Sequence, residues 1–149
     1  MVVTFCGHRD FSREDEYERK ILDLLTEKVG DSPADFYLGD YGTFDSFAYK
    51  CCRKYKKTHP NVMLFLVTPY ITIEYQRNVL ERKKIMYDGI IYPEIEDKPL
   101  KFAISYRNKW MVDKADYVIC GISRFYGGAY KTYLYAKQKK KVIFNIFEL

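Results

Sequence analysis

A glycine pair lies between two stretches of opposite character. In Ser123-Arg124-Phe125-Tyr126-Gly127-Gly128-Ala129-Tyr130-Lys131-Thr132 it follows the apolar run Asp116-Tyr117-Val118-Ile119-Cys120-Gly121 and opens an amphipathic helical stretch. Glycines at a strand-to-helix junction let the backbone come close to a bound group. The helix start adds unpaired N–H groups and the positive end of its dipole. The guest suited to such a junction is a phosphate or carboxylate. Lys131 would add a point charge and Thr132 a hydroxyl donor. The competing reading of Gly127 and Gly128 is a tight turn.

Three further loops carry polar chemistry. Gly7-His8-Arg9 follows the first apolar run, and Arg9 is placed to reach an anion over the sheet edge. His8 titrates near neutral pH, although a histidine bonded to nearby backbone explains it equally well. Gly39-Asp40-Tyr41-Gly42-Thr43-Phe44-Asp45 follows the second run. Asp45 falls in the first turn of a helix, where a carboxylate suits the dipole whatever its function. Its functional readings are a partner for a ribose hydroxyl and, as the candidate catalytic acid, a carboxylate for glycoside chemistry. Thr68-Pro69-Tyr70 follows the third run. Tyr41, Tyr70 and Tyr126 are candidates to stack on a base, with chance placement as the rival in a chain of 15 tyrosines.

The elements that hold these loops alternate strand with helix. Val2 to Cys6 reads as a buried strand. Ser12 is expected to cap a helix whose stripe is Tyr17, Ile21, Leu24 and Leu25. A strand over Asp35 to Leu38 precedes a helix capped by Thr43, with the stripe Phe44, Phe47, Ala48, Cys51 and Tyr55. Val62 to Val67 is a third strand and Gly89 to Tyr92 a fourth. The stretch between Thr68 and Lys101 reads as a lid or partner surface. A helix over Phe102 to Lys114 then leads to the closing strand–glycine–helix–strand unit. This alternation predicts an α/β fold: a Rossmann-like three-layer sandwich with a mostly parallel sheet flanked by helices. In such sheets ligands bind at the carboxyl ends of the strands, so the four loops are expected to share one site.

Composition narrows the classes. The chain has 149 residues, 48% hydrophobic and 30% charged, with a formal charge of +5. That is enough for one domain, taken as 1–149, and it excludes a disordered chain. No apolar stretch approaches the roughly 20 residues of a membrane span, and Val2-Val3-Thr4-Phe5-Cys6 lacks the features of a signal peptide, so a cytoplasmic protein is expected. The four cysteines form no C-x-x-C pair and read as buried thiols. No metal and no cofactor are expected. The basic clusters at 53–57, 82–84 and 137–141 read as solvated faces, two of them at helix C-termini. The aromatic content of 17% makes a homo-oligomer an expectation.

On Gly7-His8-Arg9, Gly39 to Asp45, Ser105-Tyr106-Arg107-Asn108-Lys109-Trp110-Met111 and Gly127 to Thr132, the chain resembles the SLOG superfamily. This Rossmann-like group is named after SMF/DprA and LOG proteins, and the match is with its YpsA-like single-domain branch. The resemblance implies a pocket for nucleotides or nucleotide-derived molecules, used as a sensor or regulatory module. It also makes Arg107 and Asn108 ligand or subunit contacts. LOG members cleave N-glycosides with a motif of two glycines, one residue, Gly-Thr and then glutamates. Here the stretch after Gly127-Gly128 lacks the glutamates, so cleavage would depend on Asp45, Asp40 or Glu74. Single-stranded DNA binding, as in the similar DprA domain, is the second alternative.

Overall fold

The computed structural model describes residues 1–148. Strand β1 (Val2–Gly7) is central, followed by α1 (Glu14–Lys28), β2 (Ala34–Leu38), α2 (Thr43–Thr58) and β3 (Val62–Val67). A helical run over 73–83 comprises α3 (Ile73–Tyr75), a π-helical turn (Gln76–Leu80) and α4 (Glu81–Lys83). Then come β4 (Gly89–Ile91), α5 (Ala103–Lys114), β5 (Tyr117–Gly121), α6 (Gly128–Gln138) and β6 (Val142–Asn145). The strands form one sheet in the order β4-β3-β2-β1-β5-β6, and every pair is parallel.

A parallel sheet covered on both faces needs strands that are apolar on both sides. Along β1, Val3 and Phe5 face the larger core with α1 and α2, whereas Cys6 belongs to the core that α5 and α6 complete. Ile119 and Cys120 of β5 divide in the same way. The expected helical stripes are the buried ones: Tyr17, Ile21, Leu24 and Leu25 on α1, and Phe44, Phe47, Ala48, Cys51 and Tyr55 on α2. Each large apolar side chain so removed from water contributes about 2 kcal/mol. All four cysteines are buried free thiols.

Phe44 fixes how α2 meets the sheet. Gly7 and Gly121 are register partners on β1 and β5. A methyl group on either would lie within 2.1 Å or 2.6 Å of the Phe44 ring. The bare backbone at these two positions is what seats the ring.

Both expected helix caps are corrected. The residue before α1 is Arg13, at φ 75°, with no side-chain cap. Its guanidinium reaches Glu16 instead, at 2.8 Å. The residue before α2 is Gly42, at φ 104°. The Thr43 hydroxyl faces the Arg9 and Phe11 carbonyls, at 2.9 and 2.7 Å, and so ties the loop after β1 to that after β2. No helix among the described residues is long and apolar enough to cross a membrane.

Candidate functional site

A cavity of about 370 Å³ opens at the carboxyl end of β1, where the strand order turns from β2 on one side to β5 on the other. That reversal is the point at which open α/β sheets leave a crevice. Its wall is built from Gly7, His8 and Arg9 after β1, Tyr41 and Asp45 around the start of α2, Arg107 and Asn108 on α5, and Gly127 and Gly128 at the start of α6. Three of the four expected loops therefore meet there, together with the helix carrying Arg107.

The floor is polar and mostly shut from water. Arg107 is only 1% exposed. Its Nη1 donates to the Val67 carbonyl at 2.8 Å and its Nε to Asn108 Oδ1 at 2.9 Å. The Asp40 carboxylate lies 3.9 Å away. Asp45 accepts the Tyr41 backbone N–H at 2.9 Å. Burial raises Asp45 to about 6; the charge of Arg107 and the Tyr41 N–H pull it down, and Asp40 pushes it up. His8 is buried, and its Nε2 accepts the Ser123 backbone N–H at 3.2 Å, which assigns the proton of the neutral ring to Nδ1. Burial and then the neighbouring Arg124 charge lower its pKa, against Asp10, which raises it.

The mouth is cationic and aromatic. Arg9 donates to the Tyr41 hydroxyl at 2.9 Å, and Tyr41 is 48% exposed. Arg124 lies 5.0 Å from the ring centre of Tyr126. Gly127 takes φ 95°, a conformation L side chains rarely adopt, and the space above Gly127 and Gly128 is open. The first turn of α6 thus presents its free N–H groups beside this opening.

Seven expected residues do not line the cavity. Gly39 lies beneath it, against Asp45 and Arg107, and Gly42 packs on the Arg9 backbone. Thr43 is spent on the loop contacts already described. The Thr68 hydroxyl donates to the Tyr70 carbonyl at 3.0 Å. That turn leaves Pro69 buried and sets Tyr70 edge-on to Tyr75, at 5.2 Å. Lys131 is exposed, and the Thr132 hydroxyl donates back to the Gly128 carbonyl at 3.0 Å. Nor does any residue of 68–101 reach the wall, so this segment does not roof the cavity. It carries the edge strand β4, and Tyr75 donates to Asp40 at 3.4 Å. Glu74 is exposed on α3.

The wall also includes Phe5, Cys6, Ile104, Arg124, Tyr126 and Ala129, outside the expected set except Tyr126, expected to stack on a base. Arg124 sits in the glycine loop, where its position was a signal. The single apolar residues carried none. Among the described residues no group of His, Cys, Asp or Glu side chains is arranged to hold a metal ion.

No family model matches the chain, and no curated protein matches it. Solved structures that share its fold include two DNA processing proteins. DNA processing protein A (DprA) of Streptococcus pneumoniae superposes with a TM-score of 0.69 at 17% identity, over 96% of this chain and 49% of that one. DNA processing protein A of Helicobacter pylori, described by its single-stranded DNA binding mode, gives 0.64 at 18% identity, over 97% and 64%. The chain thus spans less than two thirds of either protein. The likeness is one of fold.

Proposed function

We propose that this chain is a SLOG domain of the YpsA-like kind that binds a nucleotide or nucleotide-derived ligand, as a sensor or regulatory module. The observation that carries the reading is the polarity of the cavity. Arg9, Arg124 and the start of α6 stand at its mouth, and the Asp45 acceptor lies on its floor. Its volume of about 370 Å³ falls within the roughly 300–1,000 Å³ usual for small-molecule sites. In this reading a phosphate sits over Gly127 and Gly128, a sugar hydroxyl donates to Asp45, and Tyr41 or Tyr126 stacks on the base. Four buried thiols support a cytoplasmic location. Exposed Leu100, Phe102 and Phe125 support a homo-oligomer.

The test is a thermal-shift screen with mononucleotides, cyclic nucleotides and ADP-ribose derivatives, followed by titration calorimetry and chromatography of each hit. A ligand that raises the melting point and survives intact establishes a binding module. A hit that is consumed makes the protein an enzyme acting on an N-glycoside, with Asp45 as its first suspect. No binding at millimolar ligand removes the reading.

A second reading is favoured by the two DNA processing proteins of the same fold. Single-stranded DNA needs cations for phosphates and rings for bases. Arg9 and Arg124 with Tyr41, Tyr126 and the 86% exposed Phe125 supply both beside the cavity. Salt-sensitive binding of an oligothymidylate, unaffected by mononucleotides, would establish it in place of the first.

A further inference from the structure

Arg124 holds an unfinished set of contacts. With His8, it lies on the wall of the cavity already described and also on that of a second one of about 110 Å³. Its Nη1 reaches both oxygens of Asp10, at 2.9 and 3.0 Å. Its Nε is shut from solvent with no hydrogen-bond partner. A buried donor left unpaired is costly, and this one belongs to a group that forms forked bonds to oxyanions.

We propose that Arg124 captures the anionic end of the ligand, and that Asp10 is a resting counter-ion which the anion displaces. The capture rests on the reading that the cavity takes a phosphate-bearing ligand. The exchange is cheap on the protein's side. The Asp10 side chain is 65% exposed and that of Arg124 is 31% exposed, and ion pairs in water are weakly held. Its hydrogen bond to Arg124 holds the Asp10 carboxyl below its usual range, so Asp10 is ionised at neutral pH and available as the counter-ion. Asp10 binds Nη1 alone; an entering phosphate takes the edge formed by Nε and Nη2, which the carboxylate leaves open, and its charge repels that carboxylate from Nη1. The base of the loop does not move in the exchange, because the Ser123 N–H is pinned to His8. Asp10 therefore competes with the ligand. A supporting strut would help it.

That sign is testable with inorganic pyrophosphate as the probe, titrated calorimetrically into the wild type, Asp10→Asn, Arg124→Gln and Arg124→Lys. Removing the competitor should tighten pyrophosphate binding about three- to tenfold in Asp10→Asn. Arg124→Gln should weaken it about tenfold or more. Arg124→Lys should fall between, since it restores charge without the forked donors. Circular dichroism checks each fold, and if Arg124→Gln does not fold, the sign in Asp10→Asn decides. Weaker or unchanged binding in Asp10→Asn overturns the proposal, as does an absence of pyrophosphate binding in both the wild type and Asp10→Asn. A nucleotide screen that fails while the pyrophosphate pattern holds removes the nucleotide reading and leaves the anion capture standing.

Discussion

Asp45 and Arg107 pack over the same bare α-carbon. A methyl group added at Gly39 would lie 2.8 Å from Asp45 Oδ2 and 3.2 Å from Arg107 Cζ. The carboxylate and the buried guanidinium are therefore close only because residue 39 has no side chain. Gly39→Ala should destabilise the fold by about 1–3 kcal/mol through overpacking and weaken ligand binding as well. Urea denaturation and calorimetry of the same variant measure the two effects. Unchanged stability would mean that the floor has room to give.

The charge on Asp45 sets a pH dependence. Its ordinary value of 3.8 is raised to about 6, chiefly by burial. Between those values the native state keeps a proton that the unfolded chain has lost, so stability falls as pH rises through this window and is level above it. Asp45→Asn cannot ionise. Its melting temperature should gain several degrees on the wild type between pH 4 and pH 7, while binding of a ligand hydroxyl weakens, because an amide oxygen is a poorer acceptor than a carboxylate. Parallel melting curves across that range would contradict the shift.

For His8 the sign is opposite. Burial and then Arg124 lower it from 6.5. Below 6.5 the unfolded chain binds the proton more readily, so its contribution is present above 6.5 and is lost as pH falls through the native value. Nitrogen-15 NMR should find an Nδ1–H tautomer that titrates below 6.5. His8→Gln should lack the acid-side loss.

Asn145 closes the end of the sheet next to the site. Its Oδ1 accepts the Ile122 N–H at 3.0 Å and the Phe147 N–H at 3.3 Å, and its Nδ2 donates to the Ile122 carbonyl at 2.9 Å. Asn145→Ala leaves buried backbone groups unpaired and should cost about 2–4 kcal/mol. Chemical denaturation should shift the midpoint without changing the slope.

The sheet was legible in the sequence because its strands, buried on both faces, read as continuous apolar runs. The rule that ligands meet the carboxyl ends of strands located Gly7 to Arg9, Tyr41, Asp45, Gly127 and Gly128 on one wall. It failed for Pro69 and Tyr70, because the turn made by Thr68 carries them towards Tyr75. Lys131 and Thr132 were misplaced by the advance along the helix, which carries them about one turn beyond its start. Three or four residues past Gly128 a side chain has left the mouth of the helix. Arg107 was found through the family resemblance, but nothing in a single arginine on a helix announces that it is buried. Ser12 and Thr43 had cap chemistry, and tertiary contacts used Arg13 and Gly42 there instead.

The place of β5 beside β1 also matters while the chain is being made. Its partner waits from the first residues: Val3 pairs with Tyr117, and Cys6 with Cys120. A nascent chain that has produced β1, β2 and β3 can zip those three in the order β3-β2-β1, yet the outer edge of β1 stays open until β5 has been made. Loops this long close slowly. Arg9 and Tyr41 emerge well before Gly127, so the pocket is assembled only after β5 has joined the sheet. A prematurely stopped product would offer a bare apolar edge to chaperones, with nothing for a ligand to stabilise.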